Sequence, residues 1–167
     1  YEKAAEMFER LSGKKPLSYA APGWQLSSMT LEFQQELGLE YCSDVRGYEP
    51  FLPVFGGKSY SVMQIPTTLP TMDEIYGLPG INDGTIPDYW LDRLDREWNV
   101  ITVHTEMEGM SKLEVFDRFL SMAKERGVEF HTLQDYAREA TPKPCTVKLG
   151  TLPGRAGTLA VQGDNNG

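Results

Sequence analysis

The 167-residue chain is predicted to fold as an α/β domain built on a parallel sheet. Three observations carry that expectation. Short apolar runs alternate with stretches of helical period. Glycines, prolines and capping residues punctuate most of the junctions. The run Asn99-Val-Ile-Thr-Val-His104 is β-branched and apolar without polar alternation, as in strands covered by helices on both faces.

Residues 1–12 read as an amphipathic helix with Ala4, Met7, Phe8 and Leu11 on one face, stopped at Ser12-Gly13. Leu17–Ala21 is a short strand broken by Pro22-Gly23. Ser27 or Ser28 caps a second helix whose Leu31 and Leu37 face inward, ended by Gly38. Leu39–Ser43 is the next strand, with Asp44-Val-Arg46-Gly47 at its carboxyl end. Residues 47–59 read as a loop, because Pro50, Pro53, Gly56 and Gly57 oppose regular structure. The apolar cluster Phe51–Phe55 inside it either packs into the core or meets a lipid chain or membrane surface.

Tyr60–Ile65 is a third strand, and Thr71-Met-Asp-Glu74 has capping-box spacing. Pro87 opens a helix to about Trp98, with Trp90, Leu91, Leu94 and Trp98 on its inner side. After the strand ending at His104, Ser111 caps a long helix carrying Leu113, Phe116, Phe119, Leu120 and Ala123 at helical period. Gly127 ends it. Val128–Thr132 is a last short strand and Leu133–Ala140 a short helix. Residues 1–141 thus form the folded part, and 142–167 a weakly alternating tail, either a loose hairpin or partly disordered.

About five strands are too few to close an eight-stranded barrel. Such an open sheet exposes strand edges. The chain is therefore expected to be a homo-oligomer or to be completed by another segment. Tyr1-Glu-Lys-Ala-Ala reads like a helix interior, which adds the expectation of a preceding N-terminal portion.

A formal charge of −8 argues against nucleic-acid binding. Cys42 and Cys145 lack metal-type spacing and are expected to be two buried thiols rather than a disulfide. No apolar run reaches the roughly 20 residues that span a bilayer, and the expected location is cytoplasmic. His104, flanked by Glu106 and Glu108, falls at a strand's carboxyl end, where open α/β sheets and barrels place their chemistry. The plain alternative is a strand-end histidine satisfied by its neighbours. His131 reads as structural.

Four stretches in order, Ala21-Pro-Gly-Trp24, Tyr41-Cys-Ser-Asp-Val-Arg-Gly47, Ile65-Pro-Thr-Thr-Leu-Pro-Thr-Met-Asp-Glu74 and His104-Thr-Glu-Met-Glu-Gly109, resemble the second half of the polysaccharide deacetylase (NodB-homology) family. The nearest branch is the bacterial deformylases of lipid-linked 4-formamido-arabinose. The resemblance spans roughly residues 1–160. It implies a parallel-stranded partial (β/α) barrel, a zinc-type divalent metal in the complete enzyme, and hydrolysis of an amide on an N-acylated amino sugar.

On that match His104 is the general acid that protonates the departing amine. Asp44 is the acid that orients other groups of the site, with Arg46 as a partner. Trp24 is a candidate platform for a sugar face or a plug of the barrel mouth. Glu106 and Glu108 contact sugar hydroxyls or are solvated loop acids. Arg155 meets a phosphate or sits in a plain turn. The partner is an amino sugar, linked to undecaprenyl phosphate in the deformylase branch, which would put the protein peripherally on the inner membrane.

The sequence also departs from the family. No Arg lies near Tyr19, where an Arg-x-Pro motif is usual. The Asp-Asp pair and the His-x-x-x-His motif that supply base and metal ligands are absent, and the two histidines, His104 and His131, stand 27 positions apart. No metal ligands are therefore assigned in this chain, and its own activity is left open. Two alternatives follow: a non-catalytic half-barrel for assembly or binding, and a deacetylase of a soluble polysaccharide.

Overall fold

The computed structural model describes residues 2–95 and 97–164. The chain divides into two compact units. One runs to Pro66 and takes in Thr132–Thr151 and the stretch from Gly157; the other holds Thr67–His131 and Leu152–Ala156.

The first unit carries the whole sheet. Its elements are helix α1 (Glu2–Ser12), strand β1 (Ser18–Tyr19), helix α2 (Ser28–Glu36), β2 (Tyr41–Cys42), β3 (Phe51–Phe55), β4 (Lys58–Ser59) and β5 (Met63–Gln64). The second unit follows with α3 (Met72–Ile75), α4 (Ile86–Leu91) and α5 (Leu113–Glu125). The chain then returns to the first unit with α6 (Leu133–Glu139), β6 (Lys143–Gly150) and β7 (Leu159–Gln162). Among the described residues the sheet order is β1-β2-β5-β3-β6-β7, with β4 beside β3.

The α/β class is borne out; the all-parallel sheet is not. β1, β2 and β5 are parallel, and so are β3 and β6, but β3 runs antiparallel to β5 and β4, and β7 antiparallel to β6. The sheet is not closed.

The stretch expected to be a loop, 47–59, is the β3–β4 hairpin. Gly56 and Gly57 both take positive φ (60° and 80°), the conformation a two-residue primed turn demands. Pro53 fits because its carbonyl accepts the Tyr60 N–H at 2.9 Å, a role that needs no proton on nitrogen. Phe51 is 1% exposed, and it packs with Leu31, Val45, Tyr60, Cys145, Val147 and Ala160. The core role of the Phe51–Phe55 cluster thereby holds over the lipid-facing one.

Beyond Pro142 the chain forms β6 and β7. β6 pairs with β3 from Phe51↔Lys143 to Val54↔Thr146, and its alternation buries Cys145 and Val147. Both cysteines are free and buried, as expected.

Local signals hold where their partners are local. Ser27 and Thr30 make a capping box on α2, and Thr71 and Glu74 make one on α3. α1 forms as expected, but none of its residues is buried and Leu11 is 78% exposed. Leu37, placed inward, is partly exposed. The helix expected to reach Trp98 stops at Leu91. The Asn99 side chain takes the Asp95 N–H and returns a bond to the Asp95 carbonyl, a local alternative to helical bonding.

In the second unit Trp90 is fully buried against Phe119 at 5.0 Å between ring centroids, with its indole N–H donated to the Pro70 carbonyl. Neither Asn99–His104 nor Val128–Thr132 joins the sheet, contrary to expectation. Val100 instead takes the N–H groups of Thr68 and Leu69 on its carbonyl and donates to the Thr68 hydroxyl. A side chain stands where a ladder partner was expected. Val103 is 45% exposed, so the run is not covered on both faces.

Candidate functional site

His104 leads into a five-residue π-helical turn, Met107–Ser111. Its carbonyl accepts the N–H groups of Met107 and Gly109, and the Lys112 N–H closes the turn on the Met107 carbonyl at 2.7 Å. Ser111 does not cap α5 as expected. Its hydroxyl donates to the Glu106 carbonyl, and Lys112 precedes the helix. The wide turn carries Glu108 back over its own start, where Oε2 accepts the His104 backbone N–H at 2.7 Å. Such turns are often found at functional positions.

Glu108 is 1% exposed, so it is not a solvated loop acid; Glu106 is exposed. The His104 side chain is about a third exposed, with Nδ1 3.8 Å from Glu108 Oε2. Nδ1 and the second Glu108 oxygen, Oε1, are both buried without a hydrogen-bond partner. The exposed part of the imidazole therefore excludes Nδ1.

Asp44 lies in the first unit, fully buried beyond β2. Its Oδ1 accepts the Ala21 N–H at 2.5 Å and its Oδ2 accepts the side-chain amide of Gln34. Gln64 donates to Gln34 Oε1 at 3.0 Å, and the Asp44 N–H donates back to Gln64 Oε1 at 3.1 Å, which closes a ring. Burial pushes the Asp44 carboxyl up to about 6, against the lowering pull of the bonds from Ala21 and Gln34. Gln34 and Gln64 escaped the sequence reading, because nothing local marks a glutamine as a ligand of a distant carboxylate.

Trp24 and Arg46 come together in the same unit. Trp24 ends a short 3₁₀ turn, Pro22–Trp24, at φ 53°, and is 4% exposed. The Arg46 guanidinium sits 4.8 Å from the centre of its ring, a cation–π arrangement. Arg46 also holds the sheet through its backbone, which donates to Ala160 and accepts from Gln162. The packing role proposed for Trp24 is the one this burial favours.

Arg155 is bound in the second unit. Its Nε donates to Glu74 Oε1 at 2.9 Å, and its Nη2 lies 3.4 Å from Asp73. His131 is on the surface, 3.4 Å from Glu129. Among the described residues no group of three His, Cys, Asp or Glu side chains is disposed to hold a metal ion, so the donor set of the family's metal is not found in them.

His104 with Glu108, and Asp44 with its glutamines, are thus two separately built polar sites on an α/β frame. No family model matches the chain. A solved structure of a Mycobacterium smegmatis protein assigned to the polysaccharide deacetylases shares the fold. Its TM-score is 0.63 at 16% identity, over 84% of this chain and 56% of that one.

In sequence the chain is 32% identical over 152 residues to the "Probable 4-deoxy-4-formamido-L-arabinose-phosphoundecaprenol deformylase ArnD" of Wigglesworthia glossinidia brevipalpis. It is 34% identical over 130 residues to the protein of the same name from Shewanella sediminis (strain HAW-EB3). These matches take in 86% and 77% of this chain but 52% and 41% of the relatives, so the chain spans about half the length of the curated relatives it matches. The chain is a relative of the NodB-like polysaccharide deacetylases, with its sequence likeness on the deformylase side.

Proposed function

We propose that this chain is the proton-donating part of a carbohydrate deformylase or deacetylase that hydrolyses an amide on an N-acylated amino sugar. The observation that carries the reading is the presentation of His104: one nitrogen is buried toward a carboxylate and the rest of the ring is partly exposed. An amine leaves poorly unless protonated. In the protonated imidazole, Nε2 gives its proton to the sugar nitrogen as the C–N bond breaks, and the ring becomes neutral. Likeness to the deformylases supports a formyl group on a lipid-linked 4-amino-arabinose.

The complete enzyme, a partial (β/α) barrel of the deacetylase type, would draw its divalent metal from ligands outside the residues described. A second copy of the chain, or further residues of the whole protein, would complete the open sheet. No helix among the described residues is long and apolar enough to cross a membrane. A lipid-linked substrate would then be met by peripheral attachment to the inner membrane.

The test is formate release by the complete enzyme from lipid-linked 4-formamido-arabinose, beside its acetate release from a soluble N-acetylated glycan. We expect formate release, lowered about 10²–10⁴-fold in His104→Ala, the usual worth of a positioned acid. Unchanged turnover in that variant removes His104 from the chemistry. Acetate release alone moves the reading to a soluble polysaccharide. No release from either, with zinc supplied, leaves the non-catalytic assembly module.

A further inference from the structure

In the second unit His104 Nδ1 and Glu108 Oε1 are both buried without a hydrogen-bond partner, and the two side chains approach at 3.8 Å, from Nδ1 to Oε2. A carboxylate at 1% exposure with an unmet oxygen is costly, and so is a buried imidazole nitrogen with nothing to bond. The residues are already tied, since Glu108 Oε2 takes the His104 backbone N–H at 2.7 Å and stands 3.8 Å from Nδ1. Glu108 lies inside the π-helical turn that opens on the His104 carbonyl.

We propose that Glu108 is a positioning residue for His104. Its carboxylate holds a proton on Nδ1 and so dedicates Nε2 to the exposed side. The inference deepens the reading of His104 as a proton donor and rests on it for its use, although the pairing itself does not depend on turnover. In the proposed transfer the Nε2–H bond breaks and an N–H bond forms on the departing amine. The electron pair stays on Nε2, and the remaining ring proton stays on Nδ1 facing Glu108. The carboxylate thereby stabilises the imidazolium before transfer and selects the tautomer after it.

The direction of the bonds makes this testable. Glu108 Oε2 accepts the backbone N–H and is the oxygen that faces Nδ1, so the carboxylate charge favours a proton there. Glu108→Gln has one acceptor and one donor. The amide oxygen can still take the His104 backbone N–H, but no carboxylate charge then faces Nδ1, so the preference for Nδ1–H falls back toward the Nε2–H form that a free neutral imidazole favours. Ring ¹⁵N shifts of the full chain, recorded where the imidazole is neutral and assigned with His131→Asn, read this directly. We expect mostly Nδ1–H in the parent and mostly Nε2–H in Glu108→Gln, a reversal of about tenfold in the ratio.

Glu108→Asp, with a shorter carboxylate, is expected to restore part of the Nδ1–H form. The same tautomer in parent and Glu108→Gln overturns the proposal. Should Glu108→Gln fail to fold, an Nε2–H ring in the parent overturns it alone. Loss of the hydrolase reading would appear instead in the His104→Ala assay, with the tautomers untouched.

Discussion

The hydrogen bond from Gln34 to Asp44 runs in one direction only, and that direction is set by the main chain. The Asp44 N–H occupies the oxygen of Gln64, which turns the Gln64 amide toward the oxygen of Gln34 and so the Gln34 amide toward the Asp44 carboxylate. Neither glutamine can flip without setting donor against donor or oxygen against oxygen. Gln34→Glu changes one amide to a carboxylate at a fully buried position and opposes two acidic groups. We expect a loss of about 3–5 kcal/mol at pH 7, the cost of an uncompensated buried charge, read from urea unfolding. A variant as stable as the parent would mean that the ring is not closed in solution.

The same carboxyl ties stability to pH. Burial raises Asp44 from 3.8 to about 6 in the folded chain, so folding favours its protonated form. The stability it contributes is full below about pH 4 and is lost as pH rises through 6, a change of about 3 kcal/mol for a shift of this size. Urea midpoints between pH 4 and 7 should show this slope in the parent and a flatter one in Asp44→Asn. Equal slopes in the two proteins would place the titration elsewhere.

Gly154 is where the Leu152–Ala156 segment meets α3. Its φ is +82°, and a Cβ there would strike the carbonyl of Glu74, the residue whose carboxylate holds Arg155. Gly154→Ala therefore meets both backbone strain and a clash with main chain. We expect a loss of about 2–4 kcal/mol in chemical denaturation, from positive-φ strain and overpacking together. An unchanged unfolding midpoint would mean that this segment is not seated against Glu74.

What could be read from sequence follows the range of the interaction. Thr71 and Glu74 act within one turn and their spacing alone places them, while the α2 cap is legible only as Ser27 or Ser28, without Thr30. Phe51–Phe55 reads as loop because Pro53 and the Gly56-Gly57 pair are local breakers. A glycine pair between apolar runs is also a hairpin signal, and Pro53 asks of its strand only that its carbonyl be used.

Asn99–His104 has the composition of a buried strand, yet Thr68 supplies the bonds that a ladder would have given. No local pattern announces that. At the candidate site, His104 and its neighbouring acids stand out in sequence, but the pairing of Glu108 with His104 comes from a π-helical turn where a strand end was expected, and the two glutamines around Asp44 depend on tertiary contacts.

Cys42 and Cys145 give a last, simple probe of the first unit. Cys42 is fully buried in β2, and its thiol is pushed far up by desolvation and by the neighbouring Asp44 charge. Cys145 is 6% exposed on β6 and donates its thiol to the Gly163 carbonyl at 3.3 Å. A thiolate is the reactive form, so both groups should resist alkylation while the sheet is intact. Iodoacetamide at pH 8 should label neither in the native chain and both in urea. Prompt labelling of Cys145 alone under native conditions would show the β6–β7 hairpin opening independently of β3, against the ladder that joins them.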